Sequence, residues 1–133
     1  MSETESAHFK ILVIDDSGIN RELLKSWIES GGYEVEGAES AREAFYLLYE
    51  KSFDLIICDY QMPEIDGEEF LHKLRRDDKL QALPVIMFSG DGGDAIRKKL
   101  HAAGANDFIE KGAEFDVIIN TIKTNLLSIK KGK

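Results

Sequence analysis

Three short runs in this chain, ILVI at 11–14, LIIC at 55–58 and VIMF at 85–88, are apolar at every position. A strand with one solvated face alternates apolar and polar residues, so unbroken runs of this length mark strands covered on both faces. Helical spacing fills the intervals. Ile19, Leu23, Leu24, Trp27 and Ile28 form the first apolar stripe, closed by the glycine pair at 31–32. Ala44, Phe45 and Leu48 form the second, opened by Ser40 and Glu43 in capping-box spacing. Phe70, Leu71 and Leu74 mark the third, Ile96, Leu100 and Ala103 the fourth. Phe115, Ile118, Ile122, Leu126 and Ile129 close the chain. YEVEGA at 33–38 alternates like an edge strand, and DFIEK at 107–111 reads as a last short one.

Five strand–helix units in strict alternation, with no linker or internal repeat, predict an α/β fold with a parallel five-stranded sheet covered on both faces. The expected architecture is a flavodoxin-like (βα)5 three-layer sandwich with strand order 2-1-3-4-5. The domain is placed at residues 9–129, with 1–8 and 130–133 as solvated tails. At 133 residues the chain is one domain in size. No apolar run approaches the roughly 20 residues that span a bilayer, and the polar, acidic start MSETESAHFK does not read as a signal peptide. Cys58 is the only cysteine, which rules out an internal disulfide and suits a reducing, cytoplasmic setting. A formal charge of −8 argues against direct nucleic-acid binding.

In such a sheet the ligand crevice lies at the carboxyl ends of the strands where their order reverses, here between the first and third. Asp15 and Asp16 follow the first strand, and Asp59 ends the third. Three carboxylates meeting there repel one another, and a hard divalent cation resolves the repulsion. Ser89 at the end of the fourth strand brings a hydroxyl, and Lys111 after the fifth brings an ammonium. Carboxylates, a hydroxyl and a lysine around a metal suit phosphoryl transfer, with Asp59 able to hold the group as an acyl phosphate. The lone residues read more plainly. Cys58 and Trp27 are core positions, and His8, His72 and His101 lack metal-site spacing. Arg97, Lys98 and Lys99 form a basic stretch that is either a solvated face or a docking surface.

The segments IDD (14–16), IICD (56–59), MPEIDG (62–67), FSG (88–90) and FIEK (108–111) stand in the order found in receiver domains of two-component response regulators. The chain resembles that family from about Phe9 to about Ser128. The resemblance implies Mg²⁺-dependent (or Mn²⁺-dependent) transfer of phosphoryl from a phosphohistidine, on a histidine kinase or a phosphotransfer protein, to Asp59. It assigns Asp15, Asp16, Asp59 and the backbone carbonyl of Gln61 to the metal. Ser89 and Lys111 would hold phosphoryl oxygens, and Ser89 with Phe108 would form the switch. Gln61 and Asp91 occupy positions that tune hydrolysis of the acyl phosphate. The downstream partner would dock on the fourth helix, fifth strand and fifth helix.

The family usually has proline after the lysine; here Gly112 stands there, which predicts a trans link and a differently shaped loop. A flavin carrier would want a Ser/Thr/Gly-rich loop after the first strand, and a dinucleotide fold a G-x-G-x-x-G; neither is present. A haloacid-dehalogenase-type phosphatase would want a second Asp where Gln61 or Ser17 stands. The competing reading from another class is a degenerate receiver that acts only as an interaction or dimerisation module.

Overall fold

The computed structural model describes residues 9–90 and 93–131, with side chains described as far as residue 127. His8, Asp91, the side chain of Ile129, and residues 1–8 and 132–133, read above as tail, lie outside that range. The chain runs β1 (Lys10–Ile14), α1 (Gly18–Ser30), β2 (Glu34–Ala38), α2 (Ala41–Glu50) and β3 (Leu55–Asp59). It continues through α3 (Gly67–Arg75), β4 (Val85–Ser89), α4 (Asp94–Ala103), β5 (Asp107–Glu110) and α5 (Phe115–Lys131).

All four strand pairings are parallel, and the order is β2-β1-β3-β4-β5, as the alternation predicts. Ile14 lies level with Cys58, Asp59 with Phe88 and Ser89 with Glu110. The carboxyl ends of the strands that carry the candidate chemistry therefore finish along one edge.

The apolar runs divide by strand period. Ile11, Val13, Leu55, Ile57 and Ile86 face a core built with Leu24 and Ile28 of α1 and Ile118, Ile122 and Leu126 of α5. Leu12, Ile14, Ile56, Cys58, Val85 and Met87 face a second core on the opposite side. That core takes Leu48 from α2, Phe70, Leu71 and Leu74 from α3, and Leu100 from α4. Each such buried aliphatic side chain contributes roughly 1.5–3 kcal/mol. Unbroken runs therefore feed two cores at once, which is why they carry no polar residue.

Helical spacing overstates burial at two ends. Ile19 is 82% exposed and Leu23 is 49% exposed, so of the α1 stripe only Leu24 and Ile28 are buried. Phe115 likewise opens α5 partly exposed, with its ring edge against Trp27 at 6.5 Å. At α2, the Ser40 hydroxyl accepts from Glu43 N at 3.1 Å. The return bond of the cap goes to Glu39 N (2.8 Å), one residue before the expected donor.

A half-buried arginine fastens the other edge of the sheet. Arg75, the last residue of α3, donates to the carbonyls of Gly104, Gln81 and Leu83 at 2.6–3.1 Å. It also reaches Asn106 Oδ1 at 2.9 Å, and that oxygen accepts from Val85 N at the start of β4. Burial pulls the guanidinium pKa down, and the carbonyl dipoles stand in for a carboxylate partner. Arg75→Ala should lower stability by about 2 kcal/mol, the scale of several charge-assisted hydrogen bonds less rehydration of the freed carbonyls. Urea unfolding would register this loss.

Candidate functional site

Three backbone choices shape the exit of β1. Asp15 N–H donates to Ala38 O (3.0 Å), which extends the β1–β2 ladder by one residue. Ser17 N–H then donates to Asp15 Oδ1 at 2.9 Å, and the Ser17 hydroxyl accepts from Asn20 N, capping α1. Asp15 is consequently 1% exposed. Its second oxygen, Oδ2, is buried without a hydrogen-bond partner among the described residues. An orphaned carboxylate oxygen costs a kilocalorie or more unless a ligand completes it. Asp16, the next residue, is exposed.

Asp59 ends β3 and is 3% exposed. Its Oδ1 accepts from Lys111 Nζ at 3.0 Å and from Gln61 N at 3.3 Å. One carboxylate oxygen from each of Asp15, Asp16 and Asp59 lies within 4.8 Å of the others. Burial holds the Asp59 carboxyl above its ordinary range; Lys111 opposes that rise and the Asp15 charge adds to it. Cys58 is pushed up by burial and by the neighbouring acids, so it is an inert core thiol rather than a nucleophile.

The donor set fits a hard cation: it offers hard oxygens only, one of them is orphaned, and Asp16 of the set also lines an open cavity of about 470 Å³. Asp16, Tyr60, Gln61, Met62 and Asp66 line that cavity. Asp66, which the motif reading did not place at the site, caps α3 by accepting from Glu69 N at 2.9 Å.

On the far side, Ser89 is buried at the end of β4, and its carbonyl accepts from Lys111 N at 2.9 Å. That bond seats the lysine backbone without any proline. Gly112 takes φ +96°, a conformation closed to proline, whose ring fixes φ near −65°. No cis peptide occurs among the described residues, in line with the expected trans link and reshaped loop. The Lys111 ammonium also stands 6.0 Å from the Phe88 ring, beside a 200 Å³ cavity walled by Leu23, Trp27, Phe88 and Ile118.

Phe108 is half-buried against the core on the α2–α4 side, with the Arg97 guanidinium 5.3 Å from its ring. Lys99 binds Glu68 of α3 at 3.2 Å and reaches the Tyr60 hydroxyl at 3.5 Å, so part of the basic stretch is engaged within the fold. His72 and His101 are exposed, and the three aspartates form the one group of potential metal ligands among the described residues. No helix among those residues is long and apolar enough to cross a membrane.

Residues 11–123 match the family model of the response regulator receiver domain. The polar-differentiation response regulator DivK of Brucella anthropi is 31% identical over 116 residues, covering 87% of this chain and 94% of DivK. The transcriptional regulatory protein ResD of Bacillus subtilis is 37% identical over 102 residues, and the match spans only 41% of ResD. Among solved structures, the chemotaxis protein CheY4 of Vibrio cholerae superposes with a TM-score of 0.83 at 28% identity, covering 87% of this chain and 97% of CheY4. The receiver domain of a signal transduction histidine kinase from Syntrophus aciditrophicus gives 0.84 at 33% identity, covering 92% of each chain.

Proposed function

The chain belongs to the response regulator receiver domain family, and from that premise we propose that Asp59 accepts a phosphoryl group from a phosphohistidine on a histidine kinase or phosphotransfer protein. An Asp59 carboxylate oxygen attacks phosphorus, the N–P bond to the imidazole breaks, and the leaving nitrogen takes the electron pair. The observation that carries this reading is the pairing of a buried, desolvated Asp59 with Lys111 at 3.0 Å beside two further carboxylates.

Asp15, Asp16, Asp59 and the backbone carbonyl of Gln61 are the residues that would hold Mg²⁺ or Mn²⁺. Bound there, the cation supplies the positive charge that lets an anionic donor approach three acids. The Asp15 oxygen without a hydrogen-bond partner supports that assignment. Lys111 steers the incoming group: its ammonium, now on Asp59, pairs with a phosphoryl oxygen once Asp59 carries the acyl phosphate. The Ser89 hydroxyl donates to another oxygen. Its movement makes room for Phe108 to turn inward, away from Arg97, which alters the face formed by α4, β5 and α5. Gln61 lies beside the path of a hydrolytic water and, with Asp91, sets the acyl-phosphate lifetime. A downstream protein reads the changed face.

The test is label transfer. The full chain, given radiolabelled acetyl phosphate or a phosphorylated histidine protein with Mg²⁺, should take up label in a hydroxylamine-sensitive form, and EDTA should prevent it. A chain that stays unlabelled with both donors in Mg²⁺ sinks the phosphoacceptor reading and leaves the interaction module in its place.

A further inference from the structure

Asp15 is tied down at three atoms. Its N–H is held by Ala38 O, its Oδ1 by Ser17 N–H, and its carbonyl oxygen by Arg21 Nη1 at 2.7 Å. Two of these partners are backbone groups; Arg21 is the one side chain among them. It reaches back from the first turn of α1, where its own N–H donates to Ser17 O.

The route of that side chain depends on β2. Gly37 lies level with Val13 and follows Val35 by two residues, so its missing side chain would point to the α1 face of the sheet. A Cβ placed there would stand 3.0 Å from Arg21 Cδ and 3.1 Å from Cγ. Both are closer than ordinary contact. A glycine inside a strand weakens it and marks a place where another group approaches closely. Here that group is the arginine shaft.

We propose that Arg21 and Gly37 are a matched pair that positions the Asp15–Asp16 turn for divalent-cation binding, a role that rests on the reading of the acidic site given above. Arg21 is a positioning residue and touches neither the cation nor the phosphoryl group. It fixes the Asp15 carbonyl, so that with Ser17 holding Oδ1 the orphaned Oδ2 keeps one direction.

Charge and position predict opposite signs, which makes the proposal testable. A guanidinium near three carboxylates competes electrostatically with a cation, so removing its charge alone would tighten Mg²⁺ binding. Loss of positioning weakens it, commonly by 10-fold or so when a group that orients a metal ligand is removed.

Calorimetric titration of the full chain with Mg²⁺ should therefore give a Kd roughly 10-fold weaker for Arg21→Ala. Gly37→Ala retains the full charge and should weaken binding in the same direction by displacing the shaft. The double variant should bind no more weakly than Arg21→Ala alone. An Arg21→Ala Kd that is unchanged or tighter overturns the proposal, as do additive effects in the double variant. Should Arg21→Ala fail to fold, unaltered binding by Gly37→Ala overturns it instead. Wild type that gives no Mg²⁺ isotherm overturns this proposal together with the metal-site reading. Normal wild-type binding with unaltered variants overturns this one alone.

Discussion

Asp59→Asn should reduce phosphoryl uptake to background, a fall on the order of 10³-fold or more, because it removes the proposed nucleophile. The substitution should also raise stability in metal-free buffer near neutral pH. Burial lifts the folded-state pKa of Asp59 above the ordinary 3.8. Between the two values the folded chain binds more protons than the unfolded chain, so stability falls as pH rises through that window. Above it the penalty is fully present, and asparagine does not carry it. Lys111 loses its partner, but its side chain is 31% exposed and can be hydrated. Mg²⁺ should then stabilise wild type by mass action and Asp59→Asn far less. Thermal melts of both chains, with EDTA and with Mg²⁺, separate these effects. If the variant melts below wild type in EDTA at neutral pH, the ionised Asp59 is not a burden on the fold.

Gly67→Ala should cost about 3 kcal/mol, at the upper end of what overpacking a well-filled core does. Gly67 opens α3 where the helix meets the exit of β3, and its N–H donates to Tyr60 O at 2.8 Å. A Cβ there would collide with Met87 Cε and stand 2.9 Å from Tyr60 Cα and 3.0 Å from the Asp59 carbonyl oxygen. The methionine tip can turn away, but the two backbone atoms cannot. The helix would have to lift from the strand that carries Asp59, so Mg²⁺ binding should weaken as well as the fold. Urea unfolding without metal, followed by a Mg²⁺ titration, checks both. A variant within about 0.5 kcal/mol of wild type, as ordinary surface changes are, would show that α3 can shift freely.

That collision also explains why part of the site was legible in the sequence. MPEIDG carries its reasons within itself: Asp66 caps the helix and Gly67 admits it to the strand. The apolar runs were legible for the same reason, since burial on both faces leaves no position for a polar residue. The acids showed because each follows a run. What could not be read lies in contacts between segments distant in sequence. Helical spacing put Ile19 and Leu23 on a buried stripe, but periodicity does not say how wide a face the rest of the fold covers, and both stay exposed. Gly112 announced a changed loop without showing that Ser89 O would seat Lys111 all the same. Arg75 carries no motif, because its partners are carbonyls, which every residue has. Arg21 and Gly37 are ordinary residues in sequence, and only the packing of α1 on β2 brings them together.

The fastening around Arg75 lies at the amino end of β4, and the buried Ser89 lies at its carboxyl end. One strand thus separates two jobs by its own length. Mutational drift at the arginine end can raise or lower the thermal tolerance of the chain while the acidic edge keeps its spacing. Adaptation to a warmer or colder habitat can therefore proceed in this small domain without disturbing the spacing of the three aspartates.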